Sequence, residues 1–187
     1  MVYVFLAEGF EEIEALATVD LLRRASVQVK TVGVGGKTIP GSHHIPVVAD
    51  LTEFEIQDEA PEMVILPGGM PGTRNLNESE NVRRIVKKAF ESGAYIAAIC
   101  AAPTVLGALG LLEGRRAVCY PGHEEKLCGA ALQPDAEVVC DGRIITAKAA
   151  GVTCDFALKL IELLRGYAEA ETVRKGIFYH ARHMELT

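Results

Sequence analysis

Four short, largely apolar runs constrain the fold of this chain more than any other feature of its sequence. They are VYVFLA (2–7), VQVKTVGV (27–34), EMVILPGG (62–69) and YIAAIC (95–100). Each run has the length of one strand, and helical periodicity follows the first, third and fourth of them. Strands that alternate with helices predict βαβ units. We therefore expect an α/β fold with a mainly parallel sheet and helices on both faces.

The predicted helices and remaining strands complete this pattern. Residues 11–25 show helical spacing, with Ile13, Leu16, Ala17 and Leu21 on one face. Asn77 and Glu80 resemble a capping box, and the helix that follows has its apolar stripe at Val82, Ile85, Val86, Ala89 and Phe90. Further elements are predicted as a hairpin over 37–50 with Pro40-Gly41 at its tip, a helix over 102–112, strands at 116–120, 136–140 and 143–147, and helices at 153–164 and 168–178.

Length and charge exclude several classes of protein. The 187 residues fit a single domain over 1–187, and the net charge of −6 comes with only short, dispersed basic pairs. Nucleic-acid binding is not expected from such a surface. The uncharged stretch 93–112 has the length of a membrane span, but Pro103 and Gly107 interrupt it, and a buried strand passing into a buried helix explains it better. With no secretory signal read after Met1, we expect a cytoplasmic protein without membrane contact.

The cysteines and histidines indicate no metal site and no disulfide framework. The five cysteines are odd in number and contain no C-x-x-C, which is typical of a reducing compartment. The pair His180 and His183 would share a helix face and would then suit a metal, but a solvated C-terminal tail is favoured, and His43-His44 carries no clear signal. We predict no metal and no cofactor.

Cys100 stands apart from the other cysteines because of its place in the predicted sheet. Ligands of such sheets bind outside the carboxyl ends of the strands, where residues 8–14, 67–72 and 100–103 would converge. Cys100 ends a buried strand, and Pro103 suits the first turn of the next helix. A thiol at a helix start is expected to have a lowered pKa, so Cys100 is predicted to be a nucleophile. The other four cysteines, Cys119, Cys128, Cys140 and Cys154, are interpreted as packing residues.

Two partners for such a nucleophile follow from the same convergence. Gly68 and Gly69 permit a tight turn whose amides, together with that of Ala101, would bind an oxyanion, although an ordinary glycine-rich loop remains the alternative. Glu14 lies beside the apolar face of the first helix. A carboxyl buried there would have a raised pKa, stay protonated and donate a hydrogen bond to a thiolate, whereas the alternative is a surface glutamate.

These motifs resemble a known family. The segments AEGFEEIEA (7–15), VILPGGMPG (64–72), AAICAAP (97–103) and DFALKLIELL (155–164) are similar to the ThiJ/PfpI superfamily, in the group of the Parkinson-associated protein deglycase and its bacterial homologues. The resemblance runs almost end to end. It implies a flavodoxin-like three-layer α/β sandwich that forms homodimers, a reactive Cys100 that oxidises to a sulfinic acid, a protonated Glu14 beside it, and a Gly69 amide in the site.

The sequence also departs from the family pattern. Protease-like members have a histidine directly after the cysteine, where this chain has Ala101, so peptidase activity is not expected. Tyr120 stands where many members have a histidine, and His123 is displaced by a turn. Lys148 replaces an arginine in TAKAAG (146–151). We treat Glu11, Tyr120 and Lys148 as candidate pocket residues.

Two functions fit this set of residues. In the first, Cys100 attacks methylglyoxal-type carbonyls or early glycation adducts while Glu14 transfers protons, as in a glutathione-independent glyoxalase or a protein or nucleotide deglycase. In the second, the chain is a redox sensor or stress chaperone that works through oxidation of Cys100. Small-ester hydrolysis and thiazole biosynthesis are more distant alternatives.

Overall fold

The fold is built on a mainly parallel central sheet, as predicted. The structure is a computed structural model that describes residues 1–56 and 60–180. From one edge to the other, the strands of the central sheet are β10 (Val138–Asp141), β11 (Ile144–Ala147), β7 (Tyr95–Ile99), β6 (Met63–Leu66), β1 (Val2–Leu6), β2 (Val29–Gly33) and β5 (Leu51–Thr52). All neighbouring pairs are parallel except β10 and β11, which are antiparallel.

Helices cover both faces of this sheet. They are α1 (Thr18–Arg24), α2 (Gly72–Glu78), α3 (Glu80–Glu91), α4 (Pro103–Ala108), α5 (Thr153–Arg165) and α6 (Tyr167–Gly176). One apolar core packs α1, α5 and α6 against the sheet, with Leu22 and Phe156 fully buried. A second core packs α2, α3 and α4 against the other face, with Leu76 and Leu106 fully buried. The predicted three-layer α/β sandwich is therefore confirmed.

Smaller elements lie outside the central sheet. The predicted hairpin is formed by β3 (Thr38–Pro40) and β4 (Pro46–Val48), which pair antiparallel, and a short parallel pair joins β8 (Arg116–Ala117) to β9 (Ala131–Leu132). Single 3-10 turns occupy Glu124–Lys126 and Ala150–Val152. The uncharged stretch 93–112 holds β7 and α4, as predicted. Within the described part of the chain, no helix is long and apolar enough to cross a bilayer.

The first helical segment differs from its prediction in a way that matters for the site. It opens with a π-helical turn, Ile13–Ala17, before α1 begins. The predicted apolar face is wrong at its start, because Ile13 is 58% exposed while Glu14 and Ala15 are buried. A π turn holds more residues than an α-helical turn, so α-helical spacing assigns the wrong residues to the inner face. The result is that Glu14 points inward.

The start of α3 also differs from its prediction. Ser79 is the N-cap, and its hydroxyl accepts a hydrogen bond from the Val82 amide at 3.3 Å. The predicted capping box is wrong because Asn77 lies in α2, where its side-chain oxygen accepts from Arg83 at 2.9 Å. The predicted apolar stripe of α3 is confirmed, with buried side chains at Val82, Ile85, Val86 and Ala89.

Gly107 allows α4 to pack closely against the segment after the 3-10 turn at Glu124–Lys126. A Cβ atom at Gly107 would lie 2.2 Å from the carbonyl oxygen of Lys126 and 3.1 Å from the Cα of Leu127. We therefore expect Gly107→Ala to lower the free energy of unfolding by about 1–3 kcal/mol, although alanine favours helices. Urea denaturation measures the change. The matched control is Gly176→Ala, whose added Cβ meets nothing within 4 Å; equal stability of the two variants would contradict this packing account.

Candidate active site

Cys100 occupies a strained turn at the carboxyl end of β7. Its φ angle is 64°, in the left-handed region that non-glycine residues rarely adopt. Two backbone hydrogen bonds hold the turn: the Cys100 amide donates to Ala147 at 2.9 Å, and the Tyr120 amide donates to the Cys100 carbonyl at 2.7 Å. The predicted strand-to-helix turn is confirmed. Strain of this kind persists where the surrounding structure enforces it, and it concentrates at functional sites.

The glycine turn after β6 lies directly against Cys100. A Cβ atom at Gly68 would lie 2.7 Å from the Cys100 Cβ and 2.7 Å from Oε2 of Glu14. Gly69 has a φ of 88°, and a Cβ there would lie 2.4 Å from the Glu11 amide nitrogen. Neither position has room for a side chain, so the glycines allow the backbone to approach both functional side chains. The predicted convergence of the three segments is confirmed.

Glu14 is a buried carboxyl next to the thiol, with 1% of its surface exposed. Its Oε2 accepts a hydrogen bond from the Gly68 amide at 2.7 Å, and its Oε1 has no protein partner among the described residues. Burial raises the pKa of Glu14 to about 7, although hydrogen bonds with Cys100 and Gly68 work in the opposite direction. The predicted burial and raised pKa are confirmed, and the alternative of a surface glutamate is wrong.

The thiol of Cys100 does not behave as its helix position alone suggests. Burial and the negative charge of Glu14 raise its pKa, while the amides of Ala101 and Gly69 lower it. The expected net lowering is therefore wrong for a thiol that faces an ionised Glu14. Because the two groups lie together, they share one negative charge around neutral pH, and the second proton leaves far above it. When that charge is on sulfur, Glu14 is protonated and donates a hydrogen bond to the thiolate.

The amides at the sulfur are fewer than the sequence predicts. The Gly68 N–H is used by Glu14, which leaves the amides of Gly69 and Ala101 as the donors directed at Cys100. Backbone amides held in place in this way are the donors that form oxyanion sites for carbonyl substrates.

A second polar cluster joins the first helical segment to the hairpin. Nδ1 of His43 lies 2.9 Å from Oε2 of Glu12, and the Ser42 hydroxyl lies within 3.1 Å of both Glu11 and Glu12. Burial by itself would raise the pKa of Glu12, but hydrogen bonds from His43, the backbone and Ser42 hold it at about 2. The same contact with Glu12 raises the pKa of His43. The predicted pocket residue Glu11 thus has its side chain in this cluster.

This cluster is also where a metal ion would find ligands. Among residues 1–56 and 60–180, Glu11, Glu12 and His43 form the one group of three carboxylate, imidazole or thiol side chains with ligand atoms within 4.8 Å of one another. The other histidine pair of the sequence analysis does not fall wholly in the described part, since His183 lies outside it.

Glu12→Gln is expected to lower the free energy of unfolding at pH 7 by about 1–2 kcal/mol, a value reduced by solvent screening around exposed His43. The folded pKa of about 2 lies below the ordinary 4.5, so the carboxylate stabilises the protein above pH 4.5 and loses this effect as the pH falls through 2. The difference in free energy of unfolding between Glu12→Gln and wild type should therefore shrink towards zero as the pH falls to 2. Denaturation at several pH values measures it, with exposed Glu8→Gln as control; a loss independent of pH would contradict the electrostatic account.

The remaining candidate pocket residues lie at different distances from the chemistry. Tyr120 contributes its backbone to the strained turn at Cys100, which we call the elbow. The residue is 48% exposed, and its ring packs edge-on to His123 with centroids 6.2 Å apart. The Lys148 ammonium donates to the carbonyl of Pro134 at 2.7 Å and lines a separate cavity of about 150 Å³. The structure therefore places the Lys148 side chain away from Cys100.

The other cysteines fit the packing interpretation with one exception. All five thiols are free. Cys119 is buried, which raises its pKa to about 11, and Cys140 and Cys154 pack partly buried against the core. The interpretation is wrong for Cys128, which is exposed and lies on the wall of a cavity of about 530 Å³. Its neighbour Leu127 takes the inward position instead, and sequence alone does not distinguish the two.

Comparisons with known proteins agree with this geometry. The model of the DJ-1/PfpI family matches residues 1–163. Protein dj-1beta of Drosophila melanogaster is 35% identical over 176 residues, which cover 93% of this chain and 94% of that protein. Protein DJ-1 homolog B of Arabidopsis thaliana is 37% identical over 174 residues, 92% of this chain, and the chain spans 40% of the length of that relative.

Two further matches bear on the site. A Caenorhabditis elegans protein named glutathione-independent glyoxalase DJR-1.2 is 33% identical over 170 residues, 91% of each chain. The crystal structure of a cysteine-to-alanine mutant of the DJ-1 superfamily protein STM1931 from Salmonella typhimurium superposes with a TM-score of 0.92 at 39% identity, covering 96% of this chain and 98% of that one.

Proposed function

The chain belongs to the DJ-1/PfpI family, and from that premise we propose that it is a cysteine-dependent enzyme that converts methylglyoxal-type 2-oxoaldehydes, free or as early adducts with amino or thiol groups, into 2-hydroxy acids without glutathione. The observation that carries the proposal is the strained Cys100 turn with a buried Glu14 carboxyl and two amides around one sulfur. The relative named as a glutathione-independent glyoxalase supports the same substrate class.

The first step uses Cys100 as the nucleophile. Its thiolate adds to the aldehyde carbon, and the carbonyl oxygen takes up a proton to give a hemithioacetal. During the addition, negative charge develops on that oxygen, next to the amides of Gly69 and Ala101, which stabilise it without having to reorient. The proton that reaches the oxygen comes from Glu14, which is protonated whenever the charge of the pair is on sulfur.

The second step uses Glu14 as a base and then as an acid. Its carboxylate takes the proton from the former aldehyde carbon, giving an enediol, and returns a proton to the neighbouring carbon. The first carbon is thereby oxidised to a thioester and the second is reduced to an alcohol, so no external oxidant is needed. Water then cleaves the thioester to lactate and the free Cys100 thiol. A pKa of about 7 suits a group that must act in both directions near neutral pH.

The test is lactate formation by the purified protein from methylglyoxal in the absence of glutathione. We expect one lactate per methylglyoxal consumed, with deuterium at the carbinol carbon when the reaction is run in D₂O. Loss of methylglyoxal without lactate would contradict the proposal, because simple scavenging by thiols and lysines consumes the aldehyde but makes no acid.

A redox role is the second candidate, and it rests on one observation: Cys100 is partly exposed and has a proton donor beside it, while Cys119 is buried. In that case, mild peroxide adds two oxygens at Cys100 before it modifies other thiols. Exposed Cys128 is the internal comparison, since accessibility alone would favour it. Peptide mass spectrometry distinguishes the sites, and equal oxidation of Cys100 and Cys128 would remove this candidate.

A further inference from the structure

We propose that the cavity of about 530 Å³ beside the elbow is a subsite for the anionic end of larger carbonyl adducts, with Arg74 and Lys126 binding a carboxylate or phosphate. The inference rests on the proposed function, because the adduct's carbonyl carbon must reach Cys100. It extends that function by naming the substrate class: adducts of 2-oxoaldehydes with small thiols or amines that carry a negative charge.

The cavity adjoins the site of attack through residues next to the reactive sulfur. The two amides directed at Cys100 belong to Gly69 and Ala101, and both Ala101 and Met70, the residue after Gly69, line the cavity wall. A substrate with its reacting carbon at the sulfur can therefore extend past these residues into the cavity.

The size of the cavity exceeds what methylglyoxal fills. A three-carbon dicarbonyl has five heavy atoms and is a few times the size of a water molecule, whose share of liquid volume is about 30 Å³. A volume of about 530 Å³ lies in the range of sites for much larger small molecules. Apolar wall residues, among them Met70 and Ala108, suit the carbon skeleton of an adduct.

The charge on the cavity wall differs in sign from that of the whole chain. Arg74 and Lys126 line it together with one acid, Glu125, while the chain carries a net charge of −6. Lys126 has no ion-pair partner among residues 1–56 and 60–180, and Arg74 has only a 3.9 Å contact with exposed Glu78. Both cations are therefore available to an anion.

A buried hydroxyl adds an observation that is independent of charge. Thr73 lines the cavity and is 4% exposed, yet its Oγ1 has no hydrogen-bond partner in the described structure. Buried hydroxyls are nearly always paired, so an unpaired one at a cavity indicates a missing partner. Asn77 also lines the wall; its side-chain oxygen accepts from Arg83, and its NH₂ group is a further donor of the side chain. An anionic oxygen that reaches Thr73 would supply the missing partner of its hydroxyl.

The test compares matched hemithioacetals of methylglyoxal that differ only in charge. One pair is formed with the thiols N-acetylcysteine and its neutral amide, and it tests recognition of a carboxylate. The other is formed with phosphopantetheine and pantetheine, and it tests recognition of a phosphate. In each case, the C1–S bond to the small thiol breaks as the bond to Cys100 forms, and the released thiol takes the proton of the Cys100–Glu14 pair. We expect kcat/KM for lactate release to be about tenfold higher for the charged member of at least one pair, and the preference to fall with added salt.

Substitutions then assign this preference to the cavity. In Arg74→Gln/Lys126→Gln, the ratio of kcat/KM between charged and neutral members should fall to about one. The matched control is Arg84→Gln/Lys87→Gln, which removes two exposed cations of α3 outside the cavity and should keep the ratio. An equal fall in both double variants would overturn the proposal, since it would show a general charge effect.

A binding readout separates this proposal from the proposed function. In a Cys100→Ser background, the S-methyl ethers of the four thiols should protect exposed Cys128 from iodoacetamide only when they carry a charge. Turnover of all adducts with no charge preference would overturn the subsite and leave the enzyme. No turnover, but protection of Cys128 by the charged ethers, would overturn the enzyme and support the anion site; no protection by any ether would overturn the subsite.

Discussion

The difference in free energy of unfolding between Glu14→Gln and wild type is expected to favour the variant more strongly at pH 8 than at pH 4. The change between the two pH values is on the order of 3 kcal/mol. The folded pKa of Glu14, about 7, lies above the ordinary 4.5. A raised pKa means that the folded state favours the protonated form, so the contribution of Glu14 is fully present below pH 4.5 and is lost as the pH rises through 7. Glutamine cannot ionise and does not undergo this loss.

The comparison between two pH values isolates ionisation from packing. Glutamine keeps an oxygen that can accept from the Gly68 amide, so the main change is the loss of the titrating proton. Urea denaturation of both proteins at pH 4 and pH 8 measures the effect, and Glu11→Gln is the control for a neighbouring carboxylate. A difference between variant and wild type that stays constant with pH would contradict the buried, proton-holding Glu14.

Replacing Cys100 by serine is expected to reduce lactate formation at least about a thousandfold. A hydroxyl in the same turn keeps the geometry, but its far higher pKa leaves almost no anion for the attack, even with Glu14 and two amides beside it. The readout is lactate from methylglyoxal at pH 7.5.

The matched control for this substitution is Cys128→Ser, which removes the exposed thiol on the cavity wall and should leave more than half of the methylglyoxal turnover. A Cys100→Ser variant with a tenth or more of the wild-type rate would show that the chemistry occurs elsewhere.

The order of the elements could be predicted because each strand and helix carries its own local pattern. Apolar runs marked the four parallel strands at the centre of the sheet, and the stripe of α3 marked its buried face. The errors fell where geometry departs from regular spacing. The π turn at Ile13–Ala17 rotated the first helical segment, and Ser79 capped α3 because α2 occupies the residues before it.

The sequence could predict which segments meet at the site, whereas it could not predict the pKa values of the site residues. The carboxyl ends of parallel strands meet at one edge, and this places Cys100, Gly68 and Glu14 together. The pKa values depend instead on how completely those side chains are buried and on which amide serves which group. Gly68, 54 residues from Glu14 in the chain, binds the carboxylate rather than an oxyanion, and no local pattern indicates this contact.

The cavity beside the elbow had no signal in the sequence. Arg74, Lys126 and Cys128 come from segments that are far apart in the chain, and each is an ordinary polar residue of a turn or a short helix. The close packing of α4, at Gly107, against residues 126–128 brings Lys126 and Cys128 to this wall, and α2 brings Arg74 to it.

The central claim is that Cys100 and Glu14 share one proton near neutral pH, and the pH dependence of Cys100 alkylation tests it most directly. Peptide mass spectrometry follows the rate of iodoacetamide addition at Cys100 from pH 4 to pH 10, for wild type and Glu14→Gln. The account predicts that the wild-type rate rises as the pair loses its first proton, with a midpoint near 7, and that the midpoint moves upward by at least about one pH unit in Glu14→Gln, because the buried thiol is then the one group of the pair that can ionise. A wild-type midpoint at the ordinary thiol value of about 8.5 or above, unchanged by Glu14→Gln, would contradict it.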